Sequence, residues 1–200
     1  MQSPTRLPEI APDISDYAQL LSRTLEGFDW TPVQLLADTL LSLWRTDGQV
    51  FLCGNGGSAA NAIHIAKDFV YPIAKSDGRR MRAFALPANQ AVLTCLGNAT
   101  GYDQIFAGQL RVLARPGDVL LSLSGSGNSP NILRAMETAT ECGMKNYALV
   151  GFDGGKAKAL ADVAIHFPVN DMQLAEDAQA IVGHMVMKYL TRHGRIPFQS

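Results

Sequence analysis

Gln49-Val-Phe-Leu-Cys-Gly-Asn-Gly-Gly-Ser58 decides the fold. Its first half, Gln49–Cys53, is a short apolar run bounded by glycines, which predicts a buried strand. Its second half is a glycine-rich turn, and a helical pattern follows from about Ser58 to Val70. Working outward, the same grammar repeats. Strands are predicted at Met81–Leu86, Asp118–Leu123, Asn146–Val150 and Ala164–Phe167. Helices are predicted at 89–97, 102–114, 128–142, near 156–160 and from about Met172 to Arg192. Strands alternating with helices imply a parallel sheet covered on both faces, with ligands at the carboxyl ends of the strands.

Before this core lie two helical stretches. Ile14–Phe28 carries Tyr17, Leu20, Leu21 and Leu25 at helical spacing, with Asp13 or Ser15 as its cap. Thr31-Pro32 reads as an N-cap followed by proline at the first helical position, opening a helix to about Arg45. That helix is apolar on more than one face, which suits packing on both the core and a partner. Residues 1–12 read as a loose Pro-rich tail. The expected organisation is one domain over 1–200: tail 1–12, N-terminal helices 13–47, and an α/β core with a long last helix over 48–193.

Composition narrows the function. The chain has 200 residues, 47% of them hydrophobic, enough for a full core. Only 18% are charged, against about 25% usually, as expected of a surface partly covered by another subunit. A net charge of −1 argues against a generic nucleic-acid binder. Three cysteines without paired spacing point to a reducing compartment rather than a disulfide scaffold. No signal peptide or membrane span is read, so the expectation is a cytoplasmic protein with no membrane partner.

Two turns carry the chemistry. Gly54-Asn55-Gly56-Gly57-Ser58 leaves the first strand, and Ser124-Gly125-Ser126-Gly127-Asn128-Ser129 leaves the third. Glycine lets backbone approach a ligand. Free amides at a helix N-terminus favour an anion, and hydroxyls add adaptable hydrogen bonds. Neither turn matches the nucleotide-binding P-loop, and neither contains lysine, so a single phosphate fits better than a triphosphate. Taken alone, each also reads as an ordinary strand–helix turn with a serine cap; the pair points to phosphate binding.

His64 and Asp68, four apart, share one helix face, a usable metal clip. Glu176 and His184, eight apart, are read as sharing one face of the last helix. If the helices lie side by side, two histidines and two carboxylates meet. Singly, His64 also reads as a hydrogen-bonded core histidine, and Asp68 as a partner of Lys67 or of solvent. His166 and His193 read as ordinary.

Cys53-Gly-Asn-Gly-Gly-Ser58, Ser124–Ser129 and Asp153-Gly-Gly-Lys156 together resemble the sugar isomerase (SIS) domain, and more narrowly its sedoheptulose 7-phosphate (phosphoheptose) isomerases. Further matching stretches are Thr94–Asn98 with Tyr102, Ile105-Phe106, and Pro116–Leu121. The resemblance implies a flavodoxin-like three-layer α/β/α sandwich on a five-stranded parallel sheet, plus N-terminal helices. It implies a homotetramer with active sites at subunit interfaces. It implies a phosphosugar substrate held by Asn55, Gly56, Ser58, Ser124, Ser126 and Ser129. It further implies one divalent metal per subunit, Zn2+, on His64, Asp68, Glu176 and His184, with Asp68 and His184 as catalytic acid–base groups. The implied reaction is aldose–ketose isomerisation of sedoheptulose 7-phosphate through an enediolate. The alternatives are isomerisation of another sugar phosphate, or a non-catalytic phosphosugar-binding adapter like the related DnaA-binding tetramer. The chain departs from the family at five places: Asp68 replaces a Glu, Glu176 a Gln, Ala99 an acidic residue, Pro72 an Arg and Gly125 a Thr.

Overall fold

The computed structural model describes residues 12–71, 73 and 80–194. The expected tail, apart from residue 12, and the departure at Pro72 therefore lie outside the described residues. In chain order the elements are α1 (Pro12–Glu26), α2 (Thr31–Arg45), β1 (Gln49–Cys53), α3 (Gly56–Val70), β2 (Arg82–Ala85), α4 (Gln90–Ala99), α5 (Ala107–Leu113), β3 (Val119–Ser124), α6 (Pro130–Glu141), β4 (Lys145–Val150), α7 (Gly155–Leu160), β5 (Val163–His166) and α8 (Met172–His193).

All four pairings in the sheet are parallel, in the order β2-β1-β3-β4-β5. Side chains alternate across it, as the two-residue period of a strand requires. Val50, Leu52, Leu121, Leu123 and Leu149 face a core built with α2, α3 and α8. Phe51, Cys53, Leu120, Ala148 and Val150 face a second core built with α5, α6 and α7. The result is the expected three-layer sandwich. Because β1 and β3 are neighbours and their following helices go to opposite faces, a crevice opens between their carboxyl ends. Both glycine-serine turns stand at that crevice.

Several local expectations are corrected. α1 begins at Pro12, so neither Asp13 nor Ser15 precedes it as a cap. The α2 cap is Trp30 rather than Thr31, with no side-chain cap bond; Asp29 instead accepts the Thr31 amide at 3.0 Å. α3 starts two residues earlier than predicted, at Gly56, so Asn55 rather than Ser58 is its cap. The predicted helix over 102–114 is broken into a 3-10 turn at Tyr102–Gln104 and α5. Gly101, with φ +106°, stands before the turn and parts it from α4.

Beneath the sheet, the buried carboxylate of Asp118 gathers the loops. It accepts from the Gln49 amide at 2.8 Å, the Gln49 side chain at 3.2 Å and the Arg115 amide at 2.8 Å. Its charge is thus fully hydrogen-bonded, which is what makes burial tolerable. This end of the sheet is structural, and the chemistry lies at the other end and along the α3–α8 seam.

Candidate functional site

In the first turn, Gly54 is required by close packing: a Cβ there would lie 2.5 Å from the Ser58 carbonyl oxygen. Gly56 has φ +56° with open space around it, so glycine serves the conformation there, not crowding. Ser58 is buried in the first turn of α3. In the second turn the Ser124 hydroxyl accepts the Gly127 amide at 3.0 Å. The Ser126 hydroxyl accepts the Asn128 amide at 3.4 Å. Ser129 caps α6 by position but makes no side-chain cap bond. The Asp153–Lys156 loop buttresses this turn. The Lys156 amide donates to Asn128 Oδ1 at 3.1 Å, and the Ala157 amide to the Gly127 carbonyl at 2.9 Å.

Gly125 also has a physical partner. A Cβ at this position would stand 2.3 Å from Met172 Sδ. Met172, at the start of α8, thus fills the space a larger residue would take.

The second constellation lies where α3 and α8 pack side by side. They approach closely because Gly183 leaves no side chain against Ile65; a Cβ there would be 2.4 Å from Ile65 Cγ1. This seam brings three of the four candidate ligands together. His64 Nε2 is 3.0 Å from His184 Nε2, 3.2 Å from Asp68 Oδ2, and His184 Nε2 is 3.7 Å from the same oxygen. The three ligand atoms converge within 4.8 Å of one another. Asp68 Oδ1 is engaged separately, by Lys67 Nζ at 2.5 Å. The Asp68 side chain is 6% exposed, whereas His64 and His184 are 46% and 48% exposed. The trio is therefore anchored on a buried carboxylate and open on its histidine side.

Glu176 is not part of that convergence. Its carboxylate lies over Gly57, where a Cβ would be 2.1 Å from Oε2. The separation follows from helix geometry, since eight residues rise about 12 Å along an axis. The backbone carbonyl of Glu176 accepts from Asn61 at 2.9 Å. His166 is engaged by the Phe152 carbonyl at 3.0 Å and Lys158 at 3.1 Å. His193 lies against the Tyr189 ring. Both stand apart from the trio.

The donor set suits a divalent cation. Two imidazole nitrogens and one carboxylate oxygen are the ligand types of zinc, and a three-residue set leaves a position open for substrate.

Two features escaped the sequence reading. Asn131, buried on α6, exchanges two hydrogen bonds with Asn55. Its only signal in the sequence is its place two residues after Ser129. Gln179, buried on α8, accepts from Asn61 at 3.2 Å; nothing in its spacing distinguishes it from a solvated helix glutamine.

The sequence matches the SIS domain family over residues 14–151. It is 36% identical over 174 residues to a phosphoheptose isomerase of Chlorobaculum parvum, covering 86% of this chain and 83% of that one. It is 43% identical over 142 residues to a phosphoheptose isomerase of a Nitratiruptor species, covering 71% and 75%. The solved structure of a phosphoheptose isomerase from Neisseria gonorrhoeae superposes with a TM-score of 0.82 at 31% identity, over 89% of this chain and 96% of that one.

Proposed function

The chain belongs to the SIS domain family, and within it to the phosphoheptose isomerases; on that premise we propose that it interconverts sedoheptulose 7-phosphate and the matching aldoheptose 7-phosphate. The observation that carries this reading is the trio of His64, Asp68 and His184. Two imidazoles converging on a buried carboxylate favour an enzyme over a non-catalytic phosphosugar binder.

The phosphate would sit in the crevice between the turns, on Ser58, Ser124, Ser126 and Ser129 and the amides at the start of α3 and α6. Asn55 and Gly56 would line the sugar. The isomerisation removes a proton from C1 of the ketose and delivers one to C2, while the hydroxyl and carbonyl oxygens exchange roles. We assign the carbon-bound proton to Asp68 and the hydroxyl proton to His184. Lys67, on the other oxygen of Asp68, holds the carboxylate in place.

His64, Asp68 and His184 would hold one divalent ion per subunit, Zn2+ by the chemistry of the set. Such an ion, when bound, polarises substrate oxygens and steadies negative charge developing on them.

We further propose a single domain that assembles as a homotetramer with the site at a subunit interface. α4 exposes apolar residues and buries none of its own. It borders a groove of about 630 Å³ lined by Val92, Cys95, Leu96, Val112 and Leu113. Ile63, Val70 and Met185 are exposed on the two helices that carry the trio. Exposed apolar surface of this kind favours burial by a partner. Cys95 reports on it: thiol-reagent labelling of Cys95 is expected to slow as protein concentration rises. Labelling independent of concentration, in a protein that sediments as a monomer, would remove the tetramer.

Free cysteines and the absence, among the described residues, of a helix long and apolar enough to cross a membrane support a cytoplasmic site of action.

Incubation of the purified protein with sedoheptulose 7-phosphate and Zn2+ tests the activity. Aldose formation is the expected result. Phosphosugar binding without conversion would favour the adapter, and conversion of another ketose phosphate alone would change the substrate.

A further inference from the structure

Asn55 occupies the N-cap of α3 in an extended conformation, φ −116° and ψ 151°, yet its side chain makes no cap bond. An asparagine in this place ordinarily accepts an amide of the helix's first turn. The contrast within the chain is direct. Asn89 caps α4 by accepting the Val92 amide at 3.2 Å, and Asp171 caps α8 by accepting the Leu174 amide at 3.0 Å.

The Asn55 amide is engaged elsewhere. Its Nδ2 donates to Asn131 Oδ1 at 2.9 Å, and its Oδ1 accepts from Asn131 Nδ2 at 2.8 Å. The Tyr102 hydroxyl adds a third bond to the same oxygen at 3.3 Å. The orientation of the pair is fixed from one side. Asn131 Oδ1 also accepts the Ile132 backbone amide at 3.1 Å, and that amide can only donate. Asn131 is 2% exposed, so its amide is held where water cannot compete.

We infer that Asn131 is a positioning residue for the phosphosugar site: it draws Asn55 off the α3 N-terminus, keeping the amides there free for the ligand and locking the two turns into one unit. The inference rests on the isomerase reading above. Asn131 touches no reacting atom; it acts through Asn55. Without it, only the exposed Tyr102 hydroxyl holds the Asn55 carbonyl, which can then rotate onto the α3 amides and compete with the incoming anion.

A double-mutant cycle separates this from a merely structural role. The variants are Asn55→Ala, Asn131→Ala and the pair. The readouts are the dissociation constant for sedoheptulose 7-phosphate by calorimetry, with KM and kcat alongside. Asn131→Ala is expected to raise the dissociation constant and KM by about ten- to a hundredfold, the factor that one hydrogen bond to a charged phosphate supplies, with a much smaller change in kcat. The double variant is expected to bind no more weakly than Asn55→Ala alone. If Asn131→Ala fails to fold, the cycle is run with Asn131→Ser, whose hydroxyl can accept the Ile132 amide but is too short to hold Asn55; the same non-additivity is expected. Additive losses, or unchanged binding in the Asn131 variant, would overturn the inference while leaving the isomerase reading intact. A wild-type protein that binds no sedoheptulose 7-phosphate would overturn both.

Discussion

Asp68→Asn is expected to lower kcat by about 10²–10⁴-fold, the range that a positioned general base supplies. The substitution keeps the shape of the side chain and removes its capacity to take a proton. The site makes the effect large. The carboxylate is buried, its Oδ1 is held by Lys67 at 2.5 Å, and its Oδ2 faces both imidazoles. No other carboxylate among the described residues joins this group. Bound metal is to be measured on the same sample, since Asp68 is also a proposed ligand. Loss of turnover with metal retained assigns the proton transfer to Asp68, and loss of both assigns the residue to the metal. Full turnover in the variant would remove Asp68 from the mechanism. Asp68→Glu restores the methylene by which this chain departs from the family and is expected to keep substantial activity.

The second large effect is structural. Gly127→Ala should distort the second phosphate turn. Gly127 has φ +66°, and an added Cβ would lie 2.1 Å from the Gly154 carbonyl oxygen. That obstacle is backbone and cannot rotate away. Left-handed strain of about 1–2 kcal/mol and overpacking of about 1–3 kcal/mol give a loss of roughly 2–5 kcal/mol. A domain of this size loses about 2–4 °C in Tm per kcal/mol, so the melting point should fall by roughly 4–20 °C. The Gly127 amide also donates to Ser124, so phosphosugar affinity should fall with it. A variant that melts and binds as the wild type does would show that this turn is not the rigid cradle described. Gly125→Ala is the control, because the atom it meets, Met172 Sδ, belongs to a flexible side chain.

The legibility of the fold in the sequence differs by element. Gln49–Cys53 is readable to the residue because a fully apolar strand stands between glycines. The alternation of strands and helices also yields the parallel sheet. The order β2-β1-β3-β4-β5 is not readable from periodicity, because it is set by which faces the crossover helices cover; it follows from the family resemblance alone. Gly56-Gly57 reads as turn, which sets the expected start of α3 two residues late, whereas the extended Asn55 lets the helix begin on those glycines. The 3-10 break before α5 is equally invisible in a segment whose apolar residues keep helical spacing.

The candidate site was partly legible. His64 and Asp68 are linked by a spacing of four, and their meeting is a property of one helix. Their meeting with His184 depends on Gly183 letting α8 approach Ile65, a contact between elements far apart in the chain. Glu176 shows the limit of reading by spacing. Its eight-residue separation from His184 carries it along the helix to Gly57 and away from the trio. The Asn55–Asn131 pair lies beyond sequence reasoning altogether, since each residue alone has an ordinary place near a helix start.

The central claim is that this site moves a proton between adjacent sugar carbons. Its most direct test is sedoheptulose 7-phosphate incubated with the protein in D2O, with and without added Zn2+, and followed by NMR at C1. Deuterium entering C1, with aldose appearing alongside, is the expected result. A C1 signal that stays fully protonated with no aldose formed under every metal condition, in a protein that binds the phosphosugar, would contradict the account.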